Sequence, residues 1–281
     1  EFAQKTGIRE RHILPQSLSA TKMASLACTD ALEKSQRDTD KSGLVIGCAY
    51  GGDVVFPAMA CGVQQDLGIE NAGAFDLHAN CTGFQIGLSV ASDKMALDPT
   101  LDYALVFGAA VQSRFVYQFS DIAPFFGDGA GAAVLGRVPD GYGILSTEIF
   151  SNTSVLNSVR LDWGASNYAM DGVEVWKPVV QYQPVAIRKA LAKIGKTVSD
   201  VDFFIFHQAN VRLLEYLMGK MKLPMSKTHV TADRYGNTAE ASIPITLCEA
   251  VEQGKIKRGD LVVVSGVGAG FIFGATTMRW Y

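Results

Sequence analysis

Four short apolar runs constrain this chain more than any other feature. Leu44–Cys48, Ala104–Phe107, Phe203–Phe206 and Leu261–Ser265 are each bounded by glycine, aspartate or polar residues. Runs of this length and flanking chemistry read as buried strands. Between them lie stretches with helical spacing, at Met23–Ser35, Thr82–Leu97, Val179–Ile194, Ala209–Met221 and Ile243–Gln253. Strand and helix alternate, so the fold class is α/β. Two strand-and-helix blocks repeat, which predicts two similar halves, residues 1–140 and 141–281. The stretch Phe150–Asp171 breaks the pattern, being rich in serine and asparagine and lacking a core face, and reads as a surface excursion.

At 281 residues and 48% hydrophobic content, the chain can bury one large core or two coupled ones. The formal charge of -3 supplies no basic field for nucleic-acid phosphates. No apolar run is long enough to cross a bilayer, and Glu1 to Glu10 is too polar for a signal peptide, so the expected compartment is the cytoplasm. The five cysteines, Cys28, Cys48, Cys61, Cys81 and Cys248, are odd in number and never spaced as C-x-x-C. Free thiols are expected, and no metal site.

Two glycine runs resemble dinucleotide fingerprints: Gly127, Gly129 and Gly131 in FGDGAGAAVLG, and Gly266, Gly268 and Gly270 in SGVGAGF. A fingerprint needs a helix directly after the glycines and an acidic residue about 20 positions on. Strand-like sequence follows both runs instead, which argues against a nucleotide. Such glycines can also let backbone amides approach a developing negative charge.

Cys81 follows the strand-like Ala74–Ala79 and opens the helix-like Thr82–Leu97. A thiol at a helix N-terminus is expected to have a lowered pKa and a larger reactive fraction. A buried structural cysteine fits the same spacing. His207 ends the run Phe203–Phe206, a favoured catalytic position at a strand end, yet a satisfied polar histidine fits there too. Asn237, in YGNTAEASIP, suits catalysis or a plain turn into the next helix. Taken singly, none of the three is decided.

Taken in order, KTGIRERHI, DLHANCTGF, FGDGAGAAVL, FHQANVRLL, YGNTAEASIP and GVGAGFIFGA resemble the β-ketoacyl-acyl-carrier-protein synthase III family over essentially the whole chain. The resemblance implies a thiolase fold, two pseudo-repeated halves in five α-β-α-β-α layers, assembled as a homodimer. It implies Cys81 as acyl acceptor, with His207 and Asn237 promoting decarboxylation of the second substrate, and oxyanion donors at Cys81 and Ala269. Phe56 matches a position that reaches across the dimer to close the partner's acyl pocket, although an ordinary core aromatic fits as well. Arg212 and Lys220, with Lys222 nearby, match positions that meet the acidic carrier protein; a solvated helix face is the plain alternative. The implied substrates are acyl-CoA and malonyl-acyl-carrier protein, with coenzyme A entering as a thioester substrate and no cofactor required.

Several positions depart from the family pattern. The usual N-terminal strand, and a tryptophan before KTG, are absent from a sequence that starts at Glu1 with Phe2 nearby. The arginine usual before FGDGAG is not evident, the triple glycine reads Gly268-Ala-Gly270 after Val267, and the segment 151–171 is short. A specialised relative using another primer or acceptor, and a silent binding subunit, are the competing readings. Joint retention of Cys81, His207 and Asn237 counts against the silent one.

Overall fold

In a computed structural model of the protein, all residues are described except 38–41, 51, 117–118, 163 and 166. In chain order the elements are α1 (Phe2–Thr6), α2 (Ala20–Ser35), β1 (Ser42–Ala49), α3 (Met59–Asp66), β2 (Gly73–Leu77), α4 (Gly83–Leu97), β3 (Tyr103–Ala110) and β4 (Gly129–Gly136). They continue with β5 (Gly143–Ser151), β6 (Val159–Arg160), β7 (Ala169–Met170), α5 (Gly172–Ala192), β8 (Phe203–Phe206), α6 (Val211–Lys220), α7 (Ala232–Tyr235), α8 (Ser242–Glu252), β9 (Leu261–Gly268) and β10 (Ile272–Arg279). All four apolar runs are strands, and all five helical stretches are helices shifted by a few residues at their ends. The glycine runs are followed by strand rather than helix.

The strands form two four-stranded sheets, ordered β2-β1-β3-β4 and β5-β10-β9-β8, and β6 pairs with β7 as a small separate ribbon. Strand alternation explains why the runs are apolar throughout. In β8, Phe203 and Ile205 face a central core, while Phe204 and Phe206 face an outer one. In β1, Leu44, Ile46 and Cys48 face that same central core, and Val45 turns to the far side. A strand covered on both faces cannot alternate with polar residues, because either face would then bury unpaired polar groups.

The three cores order the layers. Helices α2 and α3 cover the outer face of the first sheet, α4 and α8 lie between the sheets, and α5 and α6 cover the outer face of the second. This is the five-layer α-β-α-β-α arrangement of the thiolase fold. Each fully buried Leu, Ile, Val or Phe in these layers contributes roughly 1.5–3 kcal/mol of apolar transfer. No helix among the described residues is long and apolar enough to cross a membrane.

The parallel pairings β1·β2, β1·β3 and β8·β9 align the carboxyl ends of five strands. Loops leaving those ends are the natural place for a site in an α/β fold. Here they carry Tyr50, Cys81, Gln112, His207 and Ala269.

Candidate active site

These loops open on one cavity of about 1240 Å³, lined among others by Cys81, His207, Asn237 and Ala269. Residues that are far apart in sequence converge because each follows a strand end or a turn braced against one.

Cys81 lies in a single 3-10 turn, Asn80–Thr82, that precedes α4. Asn80 holds a left-handed φ of 48°, a conformation asparagine tolerates better than most residues. Its Nδ2 donates to the Ala269 carbonyl at 3.1 Å, tying the turn to the end of β9. Gly268 makes this approach possible, because a Cβ there would lie 2.7 Å from the Ala79 carbonyl oxygen. The Cys81 thiol is half-buried. Burial, and then the Glu240 carboxyl, push its pKa up, while its own backbone N–H favours the thiolate and only partly offsets them. The expectation of a lowered pKa is therefore corrected. The helix terminus is present, but desolvation outweighs it, and the resting group is a thiol.

His207 is buried and leaves β8 with its backbone N–H donating to the Ser265 carbonyl at 2.9 Å. Burial lowers its pKa to about 4, opposed by the Ala239 carbonyl, so the ring is neutral at pH 7. Its Nδ1 lies 2.7 Å from Ser242 Oγ, which also accepts the Gln208 backbone N–H at 3.2 Å. With that N–H filling one acceptor position, the hydroxyl is placed to donate to Nδ1. That arrangement suits the tautomer that carries the ring proton on Nε2.

Asn237 is held from both sides. Its N–H donates to the Phe125 carbonyl at 2.7 Å, and its carbonyl accepts from Gly127 N–H at 3.1 Å. Gly127 is required there, since a Cβ would sit 2.1 Å from the Tyr235 carbonyl oxygen. The glycines of FGDGAG thus serve backbone packing around Asn237. Asn237 Oδ1 accepts from Ala239 N–H at 2.9 Å, which leaves Nδ2 as the donor end of the side chain. Neighbouring Asp128 accepts from Ser113 N, Ser113 Oγ and Leu14 N, and so acts as a brace for this corner.

The site therefore offers an uncharged thiol, an N–H of a neutral imidazole and an amide N–H around one cavity. Two fixed neutral donors suit an oxygen that becomes negative during reaction better than they suit a base. Among the described residues no group of three His, Cys, Asp or Glu side chains is placed to hold a metal ion.

Comparison with known proteins fits this geometry. The sequence matches 3-Oxoacyl-[acyl-carrier-protein (ACP)] synthase III over residues 75–153 and the C-terminal part of that family over residues 191–280. It is 38% identical to the beta-ketoacyl-[acyl-carrier-protein] synthase III of Bacillus pumilus, covering 98% of this chain and 88% of that one. The Methylococcus capsulatus relative of the same description is also 38% identical, over 99% of this chain and 89% of its own. The chain belongs to the 3-oxoacyl-[acyl-carrier-protein] synthase III family.

Solved structures agree with that family assignment. The synthase III from Aquifex aeolicus superposes with a TM-score of 0.94 at 34% identity, covering 99% of this chain and 90% of that one. The priming β-ketosynthase from the R1128 polyketide pathway gives 0.92 at 30% identity, covering 99% and 86%.

In this synthase III family member the peripheral residues fall less neatly. Phe56 is 83% exposed, which overturns the core-aromatic alternative; it does not line its own chain's cavity, although Val54, Val55 and Pro57 beside it do. Arg212 and Lys220 lie on the exposed side of α6. Arg212 is already engaged by Glu215 at 2.8 Å and by the Gln4 carbonyl at 3.2 Å. Lys222 is exposed just beyond the helix.

The stretch Phe150–Asp171 lies mostly exposed at the surface, as the surface-excursion reading has it, and also contributes to the site. Its first residues complete β5, and Leu156, Val159, Leu161, Tyr168 and Met170 wall the cavity. Sequence reasoning missed Ser242, Glu240, Tyr50, Gln112 and Tyr168. Of these, only Glu240 carried a signal, as a lone carboxylate inside the otherwise small and apolar AEASIP.

Proposed function

We propose that this chain catalyses the chain-initiating decarboxylative Claisen condensation of an acyl-CoA primer with malonyl-acyl-carrier protein, through an acyl thioester on Cys81. The observation that carries the reading is the meeting of Cys81, His207 and Asn237 in one cavity, with both partners presenting neutral N–H donors.

In the first half-reaction the Cys81 sulfur attacks the primer's thioester carbon. The S–C bond forms, the C–S bond to coenzyme A breaks, and the thiol proton leaves with coenzyme A. Because the resting group is a thiol, proton loss accompanies attack instead of preceding it. The backbone N–H groups of Cys81 and Ala269 are the donors for the transient oxyanion. In the second, malonyl-acyl-carrier protein loses carbon dioxide and its thioester oxygen gains enolate character. His207 Nε2–H and Asn237 Nδ2–H donate to that oxygen. The resulting carbanion attacks the acyl-Cys81 carbonyl and expels the Cys81 thiolate, releasing the 3-oxoacyl product; the thiolate then takes a proton from solvent to regenerate the thiol. No step requires electron transfer.

Three further assignments belong to the same reading. The halves 1–140 and 141–281 carry the nucleophile and the decarboxylating pair respectively, supported by one four-stranded sheet on each side of the division. Exposed Val54, Val55 and Phe56 support a homodimer in which Phe56 enters the partner's acyl pocket. Arg212 and Lys220 supply positive charge for the acidic carrier protein, in a cytoplasmic enzyme.

The test is coupled release. Protein primed with acetyl-CoA is expected to liberate carbon dioxide from malonyl-acyl-carrier protein and to form 3-oxobutyryl-acyl-carrier protein. Priming without subsequent release would remove the condensation from the reading.

A further inference from the structure

His207 and Asn237 sit on separate pieces of chain, and one buried side chain is bonded to both pieces. His207 ends β8, whereas Asn237 follows the short helix α7 and the Gly236 turn. Gln208, the residue after His207, is 1% exposed. Its Nε2 donates to the Phe206 carbonyl at 3.1 Å and to the His229 carbonyl at 3.2 Å. Its Oε1 accepts from Thr231 N–H at 3.0 Å and from Ala232 N–H at 3.3 Å, the N-cap and first residue of α7. A primary amide has two N–H groups to give and two lone pairs to fill, and all four are used here. The backbone partners also fix which way the amide points, because a flipped group would set N–H against N–H and oxygen against two carbonyls.

Each end of this bridge leads to one of the two donors. On one side Phe206 precedes His207, and the Gln208 backbone N–H donates to Ser242 Oγ at 3.2 Å, the atom that lies 2.7 Å from His207 Nδ1. On the other side α7 runs from Ala232 to Tyr235, and Gly236, with a φ of 67°, turns the chain into Asn237. The far end of α7 is gripped independently by Glu249 on α8, which accepts from Arg234 Nη2 and from Tyr235 Oη, each at 2.6 Å. With that end held, slack released by cutting the Gln208 contacts falls on the spacing between His207 and Asn237. A fully matched buried bridge holds one arrangement against others, because any displacement leaves a buried polar group unpaired.

We propose that Gln208 is a positioning residue for the second half-reaction. Its amide sets the spacing of His207 and Asn237, so that both N–H donors meet one thioester oxygen as that oxygen becomes negative. The inference rests on the role given above to that pair. Donors aimed at a developing charge work by being held in place beforehand, so misplacing them slows turnover of bound substrate more than it weakens binding.

Two variants cut the bridge. Gln208→Met removes every side-chain hydrogen bond at similar length, and Gln208→Glu keeps the acceptor for α7 but cannot supply both donors to the Phe206 and His229 carbonyls. Each is treated with acetyl-CoA, with acylation of Cys81 followed by intact-protein mass spectrometry, and then with malonyl-acyl-carrier protein, with carbon dioxide release followed. Acylation is expected to stay within about twofold of the wild type, while kcat for decarboxylation falls by about 10- to 100-fold and KM for malonyl-acyl-carrier protein moves by less than about threefold. Folded variants that decarboxylate at the wild-type rate overturn the inference, as does a loss carried by KM or an equal loss in both half-reactions. Failure of both variants to melt cooperatively overturns it too, because the bridge would then serve the whole fold. A wild-type protein that is acylated but releases no carbon dioxide would instead sink the role of His207 and Asn237, and this inference with it.

Discussion

Replacing Gly268 by alanine probes how closely the two strand-end loops must meet. The added Cβ would lie 2.7 Å from the Ala79 carbonyl oxygen, 3.3 Å from Asn80 Cβ and 3.4 Å from Cys81 N. The first neighbour is backbone, so relief requires the Cys81 turn and the end of β9 to separate by about 0.5 Å, the shortfall from an ordinary carbon–oxygen contact. Gly268 does not have a positive φ, so the alanine backbone itself is unstrained and the effect is purely steric. Overpacking of this kind costs roughly 1–3 kcal/mol of stability. The separation opens the gap between the Cys81 and Ala269 amides, and displacements approaching 1 Å at a reacting centre cost up to about 100-fold. Gly268→Ala is therefore expected to slow Cys81 acylation by about 10- to 100-fold, read by stopped-time mass spectrometry, in protein that still melts cooperatively. A folded variant that acylates at the wild-type rate would refute the role given to this contact.

Three other perturbations separate the remaining parts. Ser242→Ala removes the hydroxyl that orients His207 Nδ1 and should slow decarboxylation by about tenfold while leaving acylation of Cys81 within about twofold; equal losses in both would mean a general packing defect. His207 titrates at about 4, so decarboxylation should show no histidine inflection between about pH 5.5 and 8, and a step near pH 6.5 in the rate profile would contradict the neutral-ring account. Glu240 is 1% exposed, its Oε2 has no partner among the described residues, and burial raises its pKa well above the usual carboxylate value. A raised carboxyl pKa stabilises the fold fully below the unfolded value of about 4.3 and loses that contribution as pH rises toward the folded value. Glu240→Gln, which copies the protonated acid, should therefore gain in melting temperature over the wild type between pH 5 and pH 8, and a gap that shrinks with rising pH would reverse the sign.

Much of the architecture was legible because burial on both faces leaves a plain mark. A strand such as Phe203–Phe206 supplies two cores at once, so its four residues have to be apolar. Helix ends were less legible: α5 begins at Gly172, seven residues before the stretch that its spacing picks out, because the Asp171 side chain caps Val173 and Glu174. Its first turns keep the helical spacing, with Gly172, Val175, Trp176 and Val179 on the cavity side and Val175 and Trp176 also packed on the outer core. The wall formed around Leu156–Met170 was less legible, since residues lining an open cavity need no regular alternation.

Among the site residues, Cys81, His207 and Asn237 were readable because six motifs occur together in order. Their electrostatics were not. The Cys81 pKa depends on Glu240, which is distant in sequence and reaches the nucleophile only because the turn at Ala239–Ala241 packs on the turn at Asn80–Thr82. Tyr50, Gln112 and Tyr168, which line the cavity, come from three separate loops, and no local pattern links them.

The central claim is a division of labour, in which Cys81 carries the primer while His207 and Asn237 act on the second substrate. Intact-mass measurement of Cys81→Ser and Asn237→Ala after exposure to acyl-CoA, and then to malonyl-acyl-carrier protein, tests it most directly. Cys81→Ser should take up no acyl group. Asn237→Ala should become acylated but then keep its acyl group and release no carbon dioxide. An Asn237→Ala protein that folds but cannot be acylated would contradict the claim.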